Sequence, residues 1–419
     1  MAALSHAIRA ARHRASFAHR AGYLPESLAV LHDWHKALRA TVAGHRAAGR
    51  LQRAPSVARL QRLIDTDPIV RLYLDRMIDE VPPEQRHVAD IPELLDQLDH
   101  IVRLAPEWET DKSKRVFFPM SALFGVMMTT DAGMAVFRYP AFNDSLRDIL
   151  KEWCAYLDSP ASRSVLNEGP NGWLSPPAFA YNKLDEFVIP DRSAPAWGWP
   201  SFNAFFHRQI RSEVRPIAGP GDPAVVVSAN DGTMFSIQRK VQATTRFWLK
   251  GQPYSLHDML AGSPYTKRFV GGDVFQTFLS GADFHRWHAP IDGIVREARV
   301  VDGLMFSNAE SEQCDPSGTD SQGYETAVNT RGLVVIESDR PALGLVCVIP
   351  VGITEISSVT IDVDVGRRVT KGEEIGRFSY GGSTLALVFQ PGAIAKFTVA
   401  AGEDPPATVK VNAQIAVAN

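Results

Sequence analysis

Cysteine is scarce in this chain. Cys154, Cys314 and Cys347 are the three among 419 residues, and no two of them form a C-x-x-C pair. That excludes a disulfide framework and a cysteine-rich zinc site, and fits a reducing, cytoplasmic compartment. An excess of charge of one sign is missing as well. Lys plus Arg total 44 against 47 Asp plus Glu, a formal net charge of −3, so no nucleic-acid partner is expected. Nor is there a run of about 18 continuous apolar residues, which a membrane span needs. The longest candidate, Leu343 to Ile353, is short and interrupted by Pro350. The first 25 residues lack acids and carry Arg9, Arg12, Arg14 and Arg20. This is transit-peptide composition, weighed against a basic, frayed N-terminal arm, and no apolar h-region for secretion accompanies it.

The length is sufficient for two or three domains with a sizeable core. Leu28, Leu31, Trp34, Leu38 and Val42 recur at three- and four-residue steps, the stripe of an amphipathic helix. Asp67-Pro68 reads as an N-cap with Pro at N1, ahead of an apolar stripe of Ile69, Leu72, Tyr73 and Met77. Ile91-Pro92 opens a third helix through Leu94, Leu95, Leu98, Ile101 and Val102. The Pro- and Trp-rich segment from Ile189 to Pro200 marks a junction, giving a helical domain over 1–188 and a second domain over 189–419. Beyond it the period changes to two. Val359, Ile361, Val363 and Val365 alternate with Thr or Asp, and Leu385, Leu387 and Phe389 alternate again, as half-buried strands do. Turn signals at Gly271-Gly272, Asp292-Gly293, Asp302-Gly303 and Gly381-Gly382 punctuate them. The fold class is α+β, a helical N-terminal domain followed by a β-rich one. From Ser307 to Thr326 runs a polar stretch with five acids and no Lys or Arg, read as a long loop.

Three segments of the β-rich half concentrate reactive side chains: Ser228-Ala229-Asn230-Asp231-Gly232, Asp283 to Pro290 with His285 and His288, and Gly381-Gly382-Ser383-Thr384. An acid, two histidines and a serine are the ingredients of an activated nucleophile. An α/β-hydrolase elbow fails locally, because G-x-S-x-G needs a second Gly where Leu385 stands. A metal held by His285 and His288 has no H-E-x-x-H or cysteine partner nearby, so no metal is expected. Singly, each segment reads equally as a turn, a hydrogen-bonded structural histidine or a bulge. VGRRVTKGEEIGRF, residues 365–378, also resembles the hairpin of lipoyl- and biotinyl-type modules, which would make Lys371 a carrier lysine; the longer strands have no place in so small a module.

The order of longer strings is more specific. FNAFFHRQIRSEVRPI from Phe202, then VSANDGTM, FHRWHAPIDG and GRFSYGGSTLALVF, resemble the motifs of the pyruvoyl-dependent phosphatidylserine decarboxylase family over about residues 200 to 395. GYLP at Gly22, GWLSPPA at Gly172, KGQPYSLHDML at Lys250 and GITEIS at Gly352 extend the likeness over nearly the whole chain. They are similar to the soluble, psilocybin-pathway-type L-tryptophan decarboxylases, which carry a helical N-terminal domain. Unlike some members of that subgroup, the chain keeps the Asp231-Gly232 pair.

The resemblance implies a lyase zymogen. Ser383 attacks the carbonyl of Gly382, the chain is cut between them by autocatalytic serinolysis, and Ser383 becomes a pyruvoyl group, with no PLP and no metal. His288 is the implied base and Asp231 orients its other nitrogen. The substrate amine forms a Schiff base with the pyruvoyl group, and His285 is the acid or carboxylate positioner in turnover. The expected partners are a small-molecule amino acid substrate, aromatic and foremost tryptophan, and the chain's own cleaved piece 383–419; a homodimer is compatible. The alternative substrate is phosphatidylserine, with membrane contact only in that case. The acids from Glu310 to Glu325 weigh against it by repelling anionic headgroups.

Overall fold

The computed structural model describes residues 25, 27–50, 52–245, 254–307, 321–355, 358–402 and 406–419. The basic arm, most of GYLP, Lys250 to Pro253, residues 308–320 with Cys314, and Ile356 with Ser357 lie outside the described residues. The chain forms two compact units, one of residues 1–182, 189–205 and 304–321, the other of 183–188, 206–303 and 322–419. This division is finer than one cut at 188, since the Pro- and Trp-rich segment groups with the helices.

The first unit is built from helices α1 (Leu28–Ala47), α2 (Pro55–Thr66), α3 (Pro68–Asp79), α4 (Ile91–Ile101), α5 (Pro119–Met128), α6 (Asp131–Phe137), α7 (Pro140–Asp158) and α8 (Pro176–Tyr181). Punctuation explains the starts. Asp67 accepts from the backbone N–H groups of Ile69 and Val70, and Asp90 does the same for Glu93, each with a proline in the first turn. Helix α1 buries Leu31, Leu38 and Val42, and α4 buries its expected stripe. Helix α3 corrects the reading of its face: Val70, Leu74, Met77 and Ile78 are buried while Ile69 and Leu72 are about half exposed. The two stripes share only Met77, and four apolar residues in the first five left the register ambiguous.

The second unit is antiparallel β. Its strands are β1 (Val225–Val227), β2 (Gly232–Gln238), β3 (Asp273–Leu279), β4 (Arg286–His288), β5 (Gly293–Val301), β6 (Arg331–Ser338), β7 (Leu345–Ile353), β8 (Val359–Ile361), β9 (Arg368–Val369), β10 (Glu374–Phe378), β11 (Gly382–Phe389), β12 (Ile394–Phe397), β13 (Thr408–Val409) and β14 (Gln414–Ala418). The large sheet has the order β13-β2-β3-β11-β7-β6-β5-β9, and two three-stranded sheets read β1-β14-β12 and β4-β10-β8.

Strand β11 is central, paired with β3 and β7 along its length. Its alternation was expected to leave one face half exposed, yet Thr384, Ala386 and Val388 are as buried as Leu385, Leu387 and Phe389. A central strand covered on both faces explains this. Leu385, Leu387 and Phe389 share a core with Trp287, Ile375 and Phe378 of β4 and β10, whereas Ala386 and Val388 pack under α9 (Leu256–Met259) and α10 (Thr266–Phe269). The alternation at 359–365 stops early: β8 ends at Ile361 and Val365 is exposed. The acidic stretch is also shorter as a loop than expected. Gln322–Val328 forms helix α11, and Glu325 is fully buried rather than displayed to solvent.

Candidate active site

Strand β11 begins at Gly382, so Ser383 stands in the first paired positions of the central strand, opposite Leu279 on one side and Gly352 on the other. The period of two places Ser383 on the face of Leu385 and Leu387, the face covered by β4 and β10. Its hydroxyl is fully buried and without a hydrogen-bond partner among the described residues. Just ahead of it Gly381 holds φ at 150°, a region that favours glycine.

Both histidines are buried on or beside β4. The backbone N–H of His288 donates to the carbonyl of Ala229 at 2.8 Å, which brings the 228–232 segment alongside, and Glu374 of β10 pairs with it across the strands. Strand β10 runs through Ser379, Tyr380 and Gly381 into β11. The Phe378 N–H donates to the carbonyl of His285 at 2.9 Å. Phe206 stacks on the His285 ring at 3.9 Å and meets Tyr380 edge-on at 4.8 Å. His285 is thereby tied to the segment that leads into Gly382 and Ser383.

Hydrogen bonds fix the tautomers. Nδ1 of His288 lies 2.8 Å from the carbonyl oxygen of Gly372, and Nδ1 of His285 lies 2.8 Å from that of Asp283. A carbonyl only accepts, so each Nδ1 carries the hydrogen and each Nε2 the lone pair. Neither Nε2 has a partner among the described residues. Burial pushes the His288 pKa down, and burial with the charge of Arg208 pushes that of His285 down to about 3. Both rings are neutral acceptors near pH 7.

Asp231 corrects the expectation drawn for it. Its carboxylate does not hold the second nitrogen of His288, which belongs to the Gly372 carbonyl. Instead Arg215 donates to both carboxylate oxygens at 3.2 and 2.9 Å, Lys410 Nζ to one at 3.0 Å, and the Val411 N–H to the other at 2.8 Å. Burial alone would raise this pKa, but the Arg215 hydrogen bonds and the Lys410 charge outweigh it and hold the carboxyl below its usual range. Asp231 reaches His288 only through its charge, which favours protonation of the ring.

The residues that sequence reasoning missed are partly backbone. No motif marks the Gly372 carbonyl, and nothing flags Lys410. Phe206 and Arg215 do lie inside the FNAFFHRQIRSEVRPI string, and a buried arginine calls for a buried acid. The carrier-lysine reading of Lys371 fails, because its Nζ is tied to the carbonyls of Gly219 and Asp222 at 2.8 and 2.7 Å. No cluster of three or more potential metal ligands occurs among the described residues, and no described helix is long and apolar enough to cross a membrane.

Comparison with known proteins identifies the family. The family model described as Phosphatidylserine decarboxylase matches residues 202–417, and a second model described in the same terms matches residues 54–181. The chain is 35% identical over 327 residues to "Decarboxylase iboD" of Amanita muscaria, covering 72% of this chain and 93% of that one. It is 27% identical over 423 residues to "L-tryptophan decarboxylase" of Psilocybe cubensis, covering 94% and 93%. "Phosphatidylserine decarboxylase proenzyme 3" of Schizosaccharomyces pombe is 31% identical over 197 residues, 47% of this chain and 19% of its own length. Matched by that model over about half its length, and aligned nearly end to end with a fungal decarboxylase, the chain is a decarboxylase and belongs to the phosphatidylserine decarboxylase family.

Proposed function

We propose that this decarboxylase matures by serinolysis between Gly382 and Ser383, carries a pyruvoyl group made from Ser383, and converts a free L-amino acid, tryptophan or another aromatic one, into its amine and CO2. The observation that carries the maturation step is the Ser383 hydroxyl, buried and bonded to nothing. A serine packed so has no structural hydrogen bond to lose when it is consumed. The near end-to-end likeness to the Psilocybe cubensis L-tryptophan decarboxylase supports the substrate class.

In maturation, the Ser383 hydroxyl passes its proton to a neutral Nε2, with His288 the candidate, while its oxygen adds to the Gly382 carbonyl carbon. The C–N bond then breaks, and the nitrogen takes the proton back, leaving an ester and a free amine. Elimination removes the Ser383 Cα proton and breaks the Cβ–O bond, which frees residues 1–382 with a Gly382 carboxylate. Water then releases ammonia from the new terminus. The resulting pyruvoyl carbonyl supplies the electron sink for the charge left by departing CO2, which no side chain can absorb.

The Nδ1–H of His288, held by Gly372, keeps Nε2 unprotonated for the first transfer. His285 cannot donate a proton as it stands, since its Nε2 bears a lone pair and its pKa is near 3. A substrate carboxylate would offset the Arg208 charge, raise that pKa and let His285 act as the acid of turnover.

Phosphatidylserine is the second reading, favoured by the relative from Schizosaccharomyces pombe, which matches over 47% of this chain. The deciding experiment incubates mass-verified protein separately with a panel of L-amino acids and with detergent-dispersed phosphatidylserine, and identifies the amine by mass spectrometry. An aromatic amine without phosphatidylethanolamine supports the amino acid reading. Phosphatidylethanolamine alone overturns it.

A further inference from the structure

The ladder between β7 and β11 ends at Ile353 and Gly382, which face each other, so Thr354 is the first residue beyond the ladder, next in the chain to the residue paired with Gly382 of the bond to be cut. Opposed residues in such a ladder are about 5 Å apart at Cα. Thr354 holds φ at 56°, a left-handed conformation that a β-branched residue rarely adopts and that costs on the order of a few kcal/mol. Its side chain is 2% exposed. Its hydroxyl has no hydrogen-bond partner among the described residues. A glycine would meet the backbone need at no steric cost, and a buried hydroxyl without a partner is itself unfavourable. Two penalties thus meet at one residue beside the scissile bond.

Resting on the serinolysis reading, we infer that the Thr354 hydroxyl donates the hydrogen bond that stabilises the oxyanion formed on Gly382 during self-cleavage. When the Ser383 oxygen adds to the Gly382 carbonyl carbon, the π pair of the carbonyl moves onto its oxygen and the hydroxyl proton leaves for the base. The new negative charge needs a donor already in place, and the low-dielectric surroundings magnify what one donor contributes. The Thr354 O–H supplies it without itself giving up its proton, and the carbonyl re-forms as the C–N bond breaks. The strained backbone aims the hydroxyl, as strain at reacting sites commonly does.

The test follows cleavage of pulse-labelled full-length chains made in a cell-free system, by denaturing gel and intact mass. Thr354→Val keeps the shape and removes the donor. Thr354→Gly removes the donor and also relieves the strain, so it folds where Val does not. Thr354→Ser keeps the hydroxyl. Val and Gly are expected to slow cleavage by about 100-fold, the effect of losing one oxyanion donor, while Ser stays close to wild type. Folding is checked by the thermal transition of each uncut chain. A folded Val or Gly variant cleaving at the wild-type rate overturns the assignment of Thr354. An uncut wild type, or a cut Ser383→Ala chain, overturns serinolysis at this bond instead.

Discussion

Replacing Asp231 with Asn in an uncleavable Ser383→Ala background separates two roles for the carboxylate, because every molecule stays one chain. The structure surrounds Asp231 with both donors of Arg215, with Lys410 and with the Val411 N–H, and leaves Asp231 only 3% exposed. Arg215 is itself 8% exposed, so the substitution leaves a buried guanidinium short of its partner, with Glu186 at 2.7 Å as its remaining acid. Breaking a buried pair from one side costs about 3–5 kcal/mol. For a unit of this size each kcal/mol moves Tm by roughly 2–4 °C. The expected loss is therefore about 6–20 °C, read by calorimetry at pH 7. Had Asp231 served chiefly to orient His288, the same variant would melt with wild-type Tm and lose only cleavage in the Ser383 background. An unshifted Tm would refute the ion-cluster account.

Ser383→Ala is expected to remain a single chain without decarboxylase activity, whereas wild type gives two chains ending at Gly382 and beginning with a pyruvoyl terminus; intact mass checks both. His288→Ala should mature slowly, and His285→Ala should mature but turn over poorly; two variants maturing alike would undo that division. The helical unit should lose stability in acid. His35 stacks on His87 at 3.8 Å, and burial followed by the His87 charge depresses its pKa from 6.5 to about 3. The folded form thus resists a proton that the unfolded chain accepts below pH 6.5. Stability is full above that pH and falls by about 1.4 kcal/mol per unit toward pH 3, so roughly 2 kcal/mol is gone at pH 5. Urea titrations of wild type and His35→Gln at pH 7 and 5 measure the slope, which the Gln variant should flatten.

What could be read from the sequence followed local physics. Asp67-Pro68 and Asp90 with Pro92 announce helices because capping and proline chemistry act over a turn or less. The exposed Ile69 and Leu72 were misread because the face that packs depends on neighbours far away in sequence. Ser383, His285 and His288 stand out in the sequence as candidates because each sits in a distinctive string. Their partners were not: Gly372 contributes a carbonyl that every residue has, and Arg215 and Lys410 approach Asp231 from opposite ends of the catalytic unit. Thr354 lies inside the GITEIS string, but its positive φ is a backbone property that no residue type announces.

If serinolysis cuts the chain between Gly382 and Ser383 as proposed, the central position of β11 has a thermodynamic consequence. Strands β12 to β14, and β11 after its first residue, follow Gly382, yet β11 pairs with β3 and β7, and β14 with β1, which come from the other piece. Before the cut, folding is unimolecular. Afterwards, each unfolding event yields two separate molecules, and refolding becomes a second-order encounter that must also meet the entropy of association, about 4–15 kcal/mol at 1 M standard state. The midpoint of denaturation then depends on protein concentration, and dilute enzyme lasts only as long as its unfolding barrier holds. The fold would be assembled once, under conditions that no longer apply after maturation.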